Sequence, residues 1–527
     1  METLEDLFQR LEQLNDIGAS LSNERDLDRL LEKILLAAKA ITRADGGTLY
    51  LVSEDQQRLH FQIVRTDSLN IAFGGSSGQP TSGKFTDLPL YNAAGEPNNT
   101  MVAVYAAITG KTVNIADAYT AEGFDFSGTR KFDERTGYRS QSFLTVPMQN
   151  HEGEIIGVLQ LINTLDANNQ VQAFSTADQR LAESLASQAA IALTNRQLVQ
   201  QLEELFEAFI KLINLAIDEK SPYTGGHCQR VPELTMMLAE AVNATTTGPL
   251  ADFKLSDKDR YELRIAALLH DCGKVTTPVH IVDKATKLQT LFDRINLVDT
   301  RFEVIKRDAE VRMWQKIAGG HGRSEAENEL RAFCLQCDDD RTFLRKANAG
   351  GERTRDEDLD RIKQIATKYR WQNVEGEDAP FLDANELENL SIRAGTLTAD
   401  EREIINHHIV ATIKMLEQLP WPKHLKNVPE YAGGHHERMD GKGYPKGLKR
   451  EEMSLQARMM GVSDIFEALT AKDRPYKDGM KLSQALSILR NFTANGHIDP
   501  DLHDVFVESG VFRQYAEHFM AGPQVDC

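Results

Sequence analysis

Two adjacent histidines precede a glycine-rich loop in the stretch GGHHERMDGKGYPKGL, residues 433–448. Asp440-Gly441 and Gly443-Tyr444-Pro445 exclude a continuing helix, so His435 and His436 lie at the edge of a loop. Neutral imidazole is the commonest nitrogen ligand for metal ions, and a loop beside it leaves room for a substrate. The pair alone has two interpretations, metal ligands or a solvated pair in a loop, and the second is commoner for an isolated His-His.

Further histidines and aspartates lie in apolar helical patterns. ELRIAALLHDCGKV puts His270 and Asp271 at the end of an apolar helix, where the backbone turns and both side chains can reach one site. In EREIINHHIVATIKML, we expect His408 on the apolar face to point inward and His407 on the charged face to meet solvent. Asp464 lies in the apolar pattern ARMMGVSDIFEALTAKDRPY, and buried carboxylates are usually paired or bound to metal. A lone inward histidine, however, is more often a core residue than a ligand.

Taken together, these motifs resemble a known family. YTGGHCQRV, HDCGK, HH, HHERMDGKGYP and VSDIFEALTAKDRPY occur in the order found in HD-GYP phosphodiesterases, a branch of the HD superfamily. The resemblance covers residues 213–284 and 393–510, and RAGTLTADE is similar to the loop that follows the HD motif. It implies an all-α domain with a metal site whose ligands are His227, His270, Asp271, His408, His435, His436 and Asp464.

The same resemblance implies roles within the site. Asp271 would bridge two metal ions and, with Lys274, act in catalysis. Substrate handling or loop shape would be the role of Lys274, Gly443, Tyr444 and Pro445. Phosphodiester hydrolysis needs a deprotonated water and neutralised phosphate oxygens, and a pair of metal ions can supply both. Mixed imidazole and carboxylate ligands suit Fe, Mn, Co, Ni or Zn rather than Mg alone.

One departure from the family pattern concerns the number of metal ions. Some family members have Glu four residues before the first ligand histidine, where it helps to hold a third metal. The sequence here has Tyr223 at that position, in YTGGH. We therefore expect two divalent metal ions and no third; the alternative is that Tyr223 only packs and leaves the metal count unchanged.

The first third of the chain has a mixed pattern. LDRLLEKILLAAKAI predicts a helix, GGTLYLVSE and LHFQIVR predict strands, and QSFLTVPMQNHEGEIIGVLQLINT predicts a hairpin that turns at Glu152-Gly153. This is an α+β module with an antiparallel sheet. NIADAY, DERTGY, QSFLTVPM and GVLQLIN resemble GAF domains, in particular the branch that binds cyclic nucleotides in phosphodiesterases and cyclases.

That GAF branch carries an Asn-Lys…Phe-x3-Asp-Glu motif. The matching positions here are Asn163, Thr164, Phe174, Asp178 and Gln179. Because Thr replaces Lys, the Lys–Asp ion pair that supports the family's fold around the ligand cannot form. Cyclic nucleotide binding, another small ligand and a purely structural dimerising role are therefore alternatives. Asn114, Asp117 and Thr136 are candidate ligand residues, with a fold-stabilising role as the alternative.

Long helices are predicted before and after this module. Residues 1–22 have apolar side chains at a helical spacing that suits a dimer seam or a packed helix: Leu4, Leu7, Phe8, Leu11, Leu14 and Leu21. From Ser175 to about Glu219 there is no Pro or Gly, and Ser175 and Asp178 suit a helix start. A helix this long usually joins domains and pairs with a copy of itself, so we expect a homodimer; the alternative is two helices with a kink.

The expected domains are an N-terminal helix (1–22), a GAF domain (23–174), a connecting helix (175–212) and an HD-GYP domain (213–520). The HD-GYP domain is interrupted by a segment of charged amphipathic runs at about 285–392, which we expect to be a helical insertion. Cys334 and Cys337 lie in a helical pattern of this segment without a second cysteine pair, so a zinc site is not expected.

Composition limits the class of protein. The 527 residues suit roughly two to four domains, and 41% apolar with 26% charged residues is typical of a globular protein. A net charge of −19 argues against DNA and anionic membranes as partners, and no apolar run approaches the about 20 residues that span a bilayer. The N-terminus METLEDLFQRLEQL is acidic, unlike a signal peptide, and five scattered cysteines favour the cytoplasm.

The sequence therefore predicts a GAF-regulated HD-GYP phosphodiesterase that hydrolyses cyclic di-GMP to linear pGpG, or on to GMP. The nearest alternative substrate is the mixed GMP–AMP ring, 3′3′-cGAMP. The alternative of another class is a signalling protein that binds a cyclic dinucleotide or a partner without hydrolysis. Other expected partners are a small ligand at the GAF domain and signalling proteins that contact the HD-GYP loop.

Overall fold

The computed structural model describes residues 4–24, 26–221, 226–351, 354–472 and 479–527, without the side chains of residues 4–9, 11, 22 and 23. The chain divides into two compact units, Met1–Phe206 and Glu207–Cys527. No helix within the described ranges is long and apolar enough to cross a membrane.

An antiparallel sheet forms the centre of the N-terminal unit. Six strands follow the order β3-β2-β1-β7-β6-β5, while β4 pairs with β2 and β8 with β7. The hairpin predicted at Glu152-Gly153 is confirmed, since Gly153 has a φ of +84° between β6 and β7. The strands are β1 (Ala44–Val52), β2 (Arg58–Thr66), β3 (Ile71–Phe73), β4 (Leu88–Pro89), β5 (Val113–Ile115), β6 (Phe143–Gln149), β7 (Ile155–Leu165) and β8 (Val171–Gln172).

Helices cover both faces of this sheet because side chains alternate along each strand. Leu49 and Leu159 pack on one face with the core of helices α1, α2 and α5, whereas Tyr50 and Val158 pack on the other face with α3. The helices are α1 (Leu4–Asn23), α2 (Leu27–Thr42), α3 (Val102–Thr109), α4 (Ser127–Thr136) and α5 (Thr176–Lys220). The predicted α+β fold with an antiparallel sheet is thereby confirmed.

The two predicted long helices are present. Helix α1 is a packed helix of this unit, because Leu14 and Leu21 are buried in its core; the side chains of Leu4, Leu7, Phe8 and Leu11 lie outside the described residues. Helix α5 has 45 residues in one element. It begins where predicted, with Ser175 and Asp178 hydrogen-bonded to each other's backbone amides.

A buried ion pair joins the two ends of the N-terminal unit. Asp178, whose expected lysine partner is Thr164 in this chain, contacts the guanidinium of Arg10 on α1. Both side chains are less than a tenth exposed. The hydroxyl of Thr164 instead donates to the carbonyl oxygen of Thr42 at 2.7 Å. The Lys–Asp ion pair of the family is therefore absent, as expected. The charge of Asp178 is balanced instead by Arg10, which lies 168 residues earlier in the chain.

The second unit is mainly helical. Helix α6 contacts α7, α15, α17 and α18, while α13 and α14 pack against each other. The helices outside the segment 285–392 are α6 (His227–Ala244), α7 (Asp257–Leu269), α8 (Val279–Val282), α13 (Ala399–Glu417), α14 (Val428–Gly433), α15 (Leu455–Thr470), α16 (Leu482–Ala494), α17 (Pro500–Glu508) and α18 (Val511–Phe519).

The segment 285–392 has a hydrophobic core of its own, in which Phe302, Leu344, Ile362 and Phe381 are fully buried. Its helices are α9 (Ile295–Ala318), α10 (Arg323–Asn348), α11 (Asp356–Lys368) and α12 (Ala384–Leu390). The expected helical character is confirmed, with the addition of a hairpin between β9 (Arg370–Gln372) and β10 (Asp378–Pro380).

The Arg10–Asp178 pair generates a stability prediction. Arg10→Met should destabilise the N-terminal unit by about 3 kcal/mol, because it leaves a buried carboxylate without its cation. All three tryptophans lie after residue 206, so tryptophan fluorescence reports only the second unit. Circular dichroism reports both units, so in urea the part of its change that belongs to the N-terminal unit should move to lower concentration while the fluorescence transition stays. Lys33→Ala, which breaks a partly exposed ion pair with Glu24, is the matched control and should change neither curve. Equal curves for the two variants would contradict the assigned role of Arg10.

Candidate metal centre

Seven side chains from five helical regions converge in the second unit. His227 opens α6, His270 and Asp271 follow α7, and His408 lies in the middle of α13. The remaining three are His435 and His436, which follow α14, and Asp464 in α15. All except the partly exposed His436 are buried, with Asp271 2% exposed. The structure thus brings together every ligand that the resemblance implies, and it confirms that His408 points inward and His407 to solvent.

A close backbone contact positions the HD turn against α13. A Cβ atom at Gly273 would lie 2.0 Å from the carbonyl oxygen of His408, so only glycine fits there. The Gly273 amide donates to the hydroxyl of Thr412 at 2.9 Å. This contact sets the separation between the backbone of the His270-Asp271 turn and that of His408.

Hydrogen bonds orient three of the histidine rings in the same way. The Nδ1 atoms of His270, His408 and His435 lie 2.7, 2.5 and 2.6 Å from the carbonyl oxygens three residues earlier. Donation from Nδ1 to a carbonyl leaves Nε2 as the unprotonated atom, which is the form that binds a metal. Each ring therefore presents a lone pair to the centre.

Asp271 lies between two groups of potential ligands. Its Oδ2 is 3.1 Å from Nε2 of His227 and 3.2 Å from Nε2 of His270. Its Oδ1 is 3.2 Å from Nε2 of His408, which in turn is 3.1 Å from Nε2 of His436. The potential ligand atoms form two groups, and within each group they all lie within 4.8 Å of one another. The groups are His227–His270–Asp271 and His408–His435–His436. The two oxygens of one carboxylate thus face both groups.

The environment sets the charge of these side chains. Burial and the neighbouring His270 lower the pKa of His435 to about 4, and burial with His435 lowers the pKa of His436. Burial raises the pKa of Asp271, but Lys274 and His270 outweigh it and hold that pKa well below its usual range. The two neutral imidazoles and the ionised carboxylate belong to the donor set that divalent transition metals prefer. Burial lowers the pKa of His227, but Glu467, Asp271 and Asp464 outweigh it and raise that pKa well above its usual range.

Two buried atoms support a metal ion at this place. Oδ1 of Asp271 and Nε2 of His435 have no hydrogen-bond partner anywhere in the described ranges. Buried polar groups are normally satisfied, so such atoms indicate a missing ion or water. The residues therefore fit the divalent ions that the resemblance implies. The number of ions stays a prediction, because Tyr223 lies outside the described residues.

The loop residues named from the sequence border the same centre. The ring of Tyr444 stacks on His436 with centroids 4.8 Å apart, and Nζ of Lys274 is 2.5 Å from Oδ2 of Asp271. A Cβ atom at Gly443 would lie 2.4 Å from the Arg438 backbone nitrogen, so Gly443 allows the loop to fold back on itself. Pro445 follows Tyr444 in this loop, and its role stays a prediction.

The sequence reasoning missed Glu467 and Arg230. Glu467 is fully buried one turn after Asp464, and its carboxylate contacts Nδ1 of His227. The guanidinium of Arg230 donates to Glu467 at 2.6 and 2.7 Å. Burial raises the pKa of Glu467, but His227 and Arg230 outweigh it and lower it to about 2. The sequence did contain a signal for Glu467, which is a second acidic residue three positions after Asp464 in the same apolar helix.

The candidate residues in the N-terminal unit bond to nearby backbone. The side-chain amide of Asn114 donates to the carbonyl oxygen of Phe174 at 3.2 Å. The hydroxyl of Thr136 donates to the carbonyl oxygen of Phe132 at 2.8 Å. Asp117 accepts from the amide of Tyr119 at 2.8 Å. These bonds account for each side chain structurally, and a ligand role stays a prediction. Cys334 and Cys337 belong to neither of the ligand groups found in the described part of the chain.

Comparison with known families divides the chain in the same way. The GAF domain family matches residues 26–193, and HD domain families match residues 224–343 and 384–502. The first HD match contains His227, His270 and Asp271, and the second contains the other four candidate ligands. Two matches separated in sequence therefore contribute to one cluster in space.

Similar proteins include three bacterial phosphodiesterases. The 3′3′-cGAMP-specific phosphodiesterase 1 of Vibrio cholerae is 42% identical over 82 residues, covering 16% of this chain and 19% of that protein. A cyclic di-GMP phosphodiesterase of Pseudomonas aeruginosa is 38% identical over 117 residues, covering 22% and 27%. The 3′3′-cGAMP-specific phosphodiesterase 3 of Vibrio cholerae is 26% identical over 300 residues, covering 57% and 37%.

The chain spans between 19% and 37% of the length of these relatives. The predicted GAF and HD domains are both confirmed by the family matches. The chain carries a GAF domain followed by HD-domain segments, consistent with the HD-GYP family with an N-terminal GAF domain.

Proposed function

We propose that this protein is a metal-dependent phosphodiesterase that hydrolyses cyclic di-GMP to linear pGpG, with GMP as the product of a second cleavage. The observation that supports this proposal most is the position of Asp271, whose two oxygens face two groups of imidazoles. Iron, manganese, cobalt, nickel or zinc would suit these ligands. Ions held there would acidify a water and neutralise phosphate oxygens.

The reaction adds one water across one phosphodiester bond of the ring. The hydroxyl joins phosphorus, the P–O3′ bond breaks, and the released O3′ takes the proton. Lys274 lines a cavity of about 300 Å³ beside the ligands, where its ammonium can donate to a phosphate oxygen as well as to Asp271. The stacked ring of Tyr444 holds His436 in place and forms one wall of this cavity.

The mixed GMP–AMP ring is the second candidate substrate. It is favoured by the similarity to enzymes named as specific for 3′3′-cGAMP, one of which is 42% identical over its matched stretch. Both rings carry two phosphates, so the charge of the site suits both. A protein that binds cyclic dinucleotides or signalling partners without hydrolysis is disfavoured by the complete set of candidate ligands.

The GAF domain is proposed to regulate turnover by binding a small ligand. Asp178 has an arginine partner in Arg10, so the loss of the family's lysine does not leave the domain without its buried ion pair. That compensation supports a stable sensory domain whatever the ligand. A ligand regulates the enzyme only if it binds two conformations with different affinity.

A cytoplasmic location is proposed from the five cysteines, all of which are free thiols in the described ranges.

Helix α5 supports the proposed homodimer. Side chains spaced alternately three and four residues apart are all exposed along it: Ile191, Asn195, Leu198, Leu202, Leu205, Phe209 and Leu212. This is the heptad seam of a coiled coil, in which apolar side chains of two copies interlock. A single polar Asn195 within such a seam favours one register and a two-stranded pair. We therefore propose that α5 pairs with α5 of a second copy.

Adjacent histidines provide the first test of the metal centre. His408→Ala and Asp271→Asn should each lower turnover by more than about a hundredfold and release bound metal, because each removes a direct ligand. His407→Ala should stay within about twofold of the unchanged protein, since His407 is exposed. Metal analysis and chromatography of cyclic di-GMP products measure both effects. The facing assignment is wrong if His407→Ala matches His408→Ala.

Glu467 allows a test of a residue that contacts a candidate ligand, His227, without being a candidate ligand itself. Glu467→Gln should weaken metal binding about tenfold or more, because the carboxylate that orients His227 loses its charge. Titration with a metal ion and a competing chelator measures this affinity. Glu403→Gln, on the exposed face of α13, is the matched control and should bind metal normally. Equal affinities in the two variants would leave Glu467 without a positioning role.

The coiled-coil proposal is tested by solution mass. Leu202→Glu combined with Leu205→Glu should convert a dimer into a monomer of 59.0 kDa, because charges cannot be buried in the seam. Light scattering after size-exclusion chromatography gives the mass. Glu203→Gln combined with Glu204→Gln alters the same helix outside the seam and should remain dimeric. A dimer that persists in the first variant would exclude α5 as the main interface.

A further inference from the structure

A second cavity adjoins the metal centre and is not used by the proposed cleavage step. It has a volume of about 490 Å³ and shares His436, Tyr444 and Asp464 with the smaller cavity over the ligands. Away from the ligands it is lined by Arg438, Lys442, Phe492 and His497. The two cavities therefore lie side by side, and one molecule of substrate can occupy both.

An aromatic pair held by backbone contacts lines this cavity. The rings of Phe492 and His497 stack with centroids 4.6 Å apart and an angle of 29° between their planes. The amide of His497 donates to the carbonyl oxygen of Phe492 at 2.8 Å. The amide of Asp440 donates to the carbonyl oxygen of Gly496 at 2.9 Å, which fixes this turn to the glycine-rich loop. The imidazole thus has a defined position in the wall of this cavity.

Among the described residues, two cations line this cavity away from the metal ligands, Arg438 and Lys442. Arg438 forms a two-point ion pair with Asp440 at 2.8 and 3.1 Å, whereas Lys442 is 3.8 Å from the same carboxylate and largely exposed. Burial and the nearby Arg438 lower the pKa of His497, so its ring is neutral at pH 7. A neutral aromatic surface beside the ammonium of Lys442 suits a nucleobase and a phosphate.

We infer that this cavity is the subsite for the half of the substrate that is not being cleaved, with a purine base stacked on His497 and the second phosphate near Lys442. The inference rests on the proposed function, since a cyclic dinucleotide has two bases and two phosphates but only one phosphate reacts at a time. Base stacking on an aromatic side chain tolerates any base. The subsite therefore takes guanine and adenine alike and strengthens binding without selecting between the two candidate rings.

The test compares substrates with and without a base. His497→Ala should raise KM for cyclic di-GMP and for 3′3′-cGAMP about tenfold, with kcat within about twofold, because stacking contributes to binding rather than to bond cleavage. Cleavage of methyl p-nitrophenyl phosphate, which has no base, should be unchanged. His497→Phe keeps an aromatic surface and should restore KM. His518→Ala, an exposed histidine on α18, is the matched control.

The outcomes separate the subsite from the proposed function. Unchanged KM in His497→Ala, in a protein whose wild type cleaves a cyclic dinucleotide, overturns the subsite and leaves the function standing. A wild type that cleaves methyl p-nitrophenyl phosphate but neither cyclic dinucleotide overturns the function and the subsite with it. If His497→Ala does not fold, two other variants decide. His497→Phe should keep KM, whereas Lys442→Ala should raise KM, with the largest rise at low salt.

Discussion

The second unit is organised around the burial of one carboxylate. Placing an ionised Asp271 at 2% exposure costs several kcal/mol unless opposite charge and hydrogen-bond donors surround it. Lys274 supplies charge at 2.5 Å, and Nε2 of His227, His270 and His408 lies 3.1, 3.2 and 3.2 Å from the carboxylate oxygens, so a cation bound among these atoms would supply the rest. Lys274 and His270 come from the turn that contains Asp271, whereas His227 and His408 come from α6 and α13. The packing of these elements brings the four groups to between 2.5 and 3.2 Å from a single residue.

That arrangement depends on tight backbone packing as much as on the ligands. Gly273 approaches the His408 carbonyl so closely that a Cβ would lie 2.0 Å from it. Further out, Glu467 and Arg230 fix His227 from the opposite side. These contacts fix the candidate ligands, and a site built in this way loses little metal affinity to side-chain ordering.

Sequence periodicity predicted what depends on local pattern. It separated His407 from His408, since neighbouring positions on a helix point about 100° apart, and it located the turn at Glu152-Gly153. The family resemblance, rather than periodicity, gathered the seven ligands from positions 227 to 464. Neither could find Arg10 as the partner of Asp178, because the two are 168 residues apart and meet only after the unit folds. The short hairpin of β9 and β10 was missed for a related reason: its three-residue strands are too brief to show alternation.

The segment 285–392 lies in sequence between Asp271 and His408, yet the candidate ligands before and after it converge in space. Two buried lysines explain how. Lys287, 1% exposed, donates to the carbonyl oxygens of Leu390 and Ile392, which tie the beginning of the segment to its end. Lys284 joins Asn389 to Glu401, which lies in the capping box at the start of α13. A segment whose ends lie together adds little closure entropy to the fold, however long it is. Because the same contacts fix the first turn of the helix that carries His408, the chain returns to the metal centre at a defined point after an excursion of about a hundred residues.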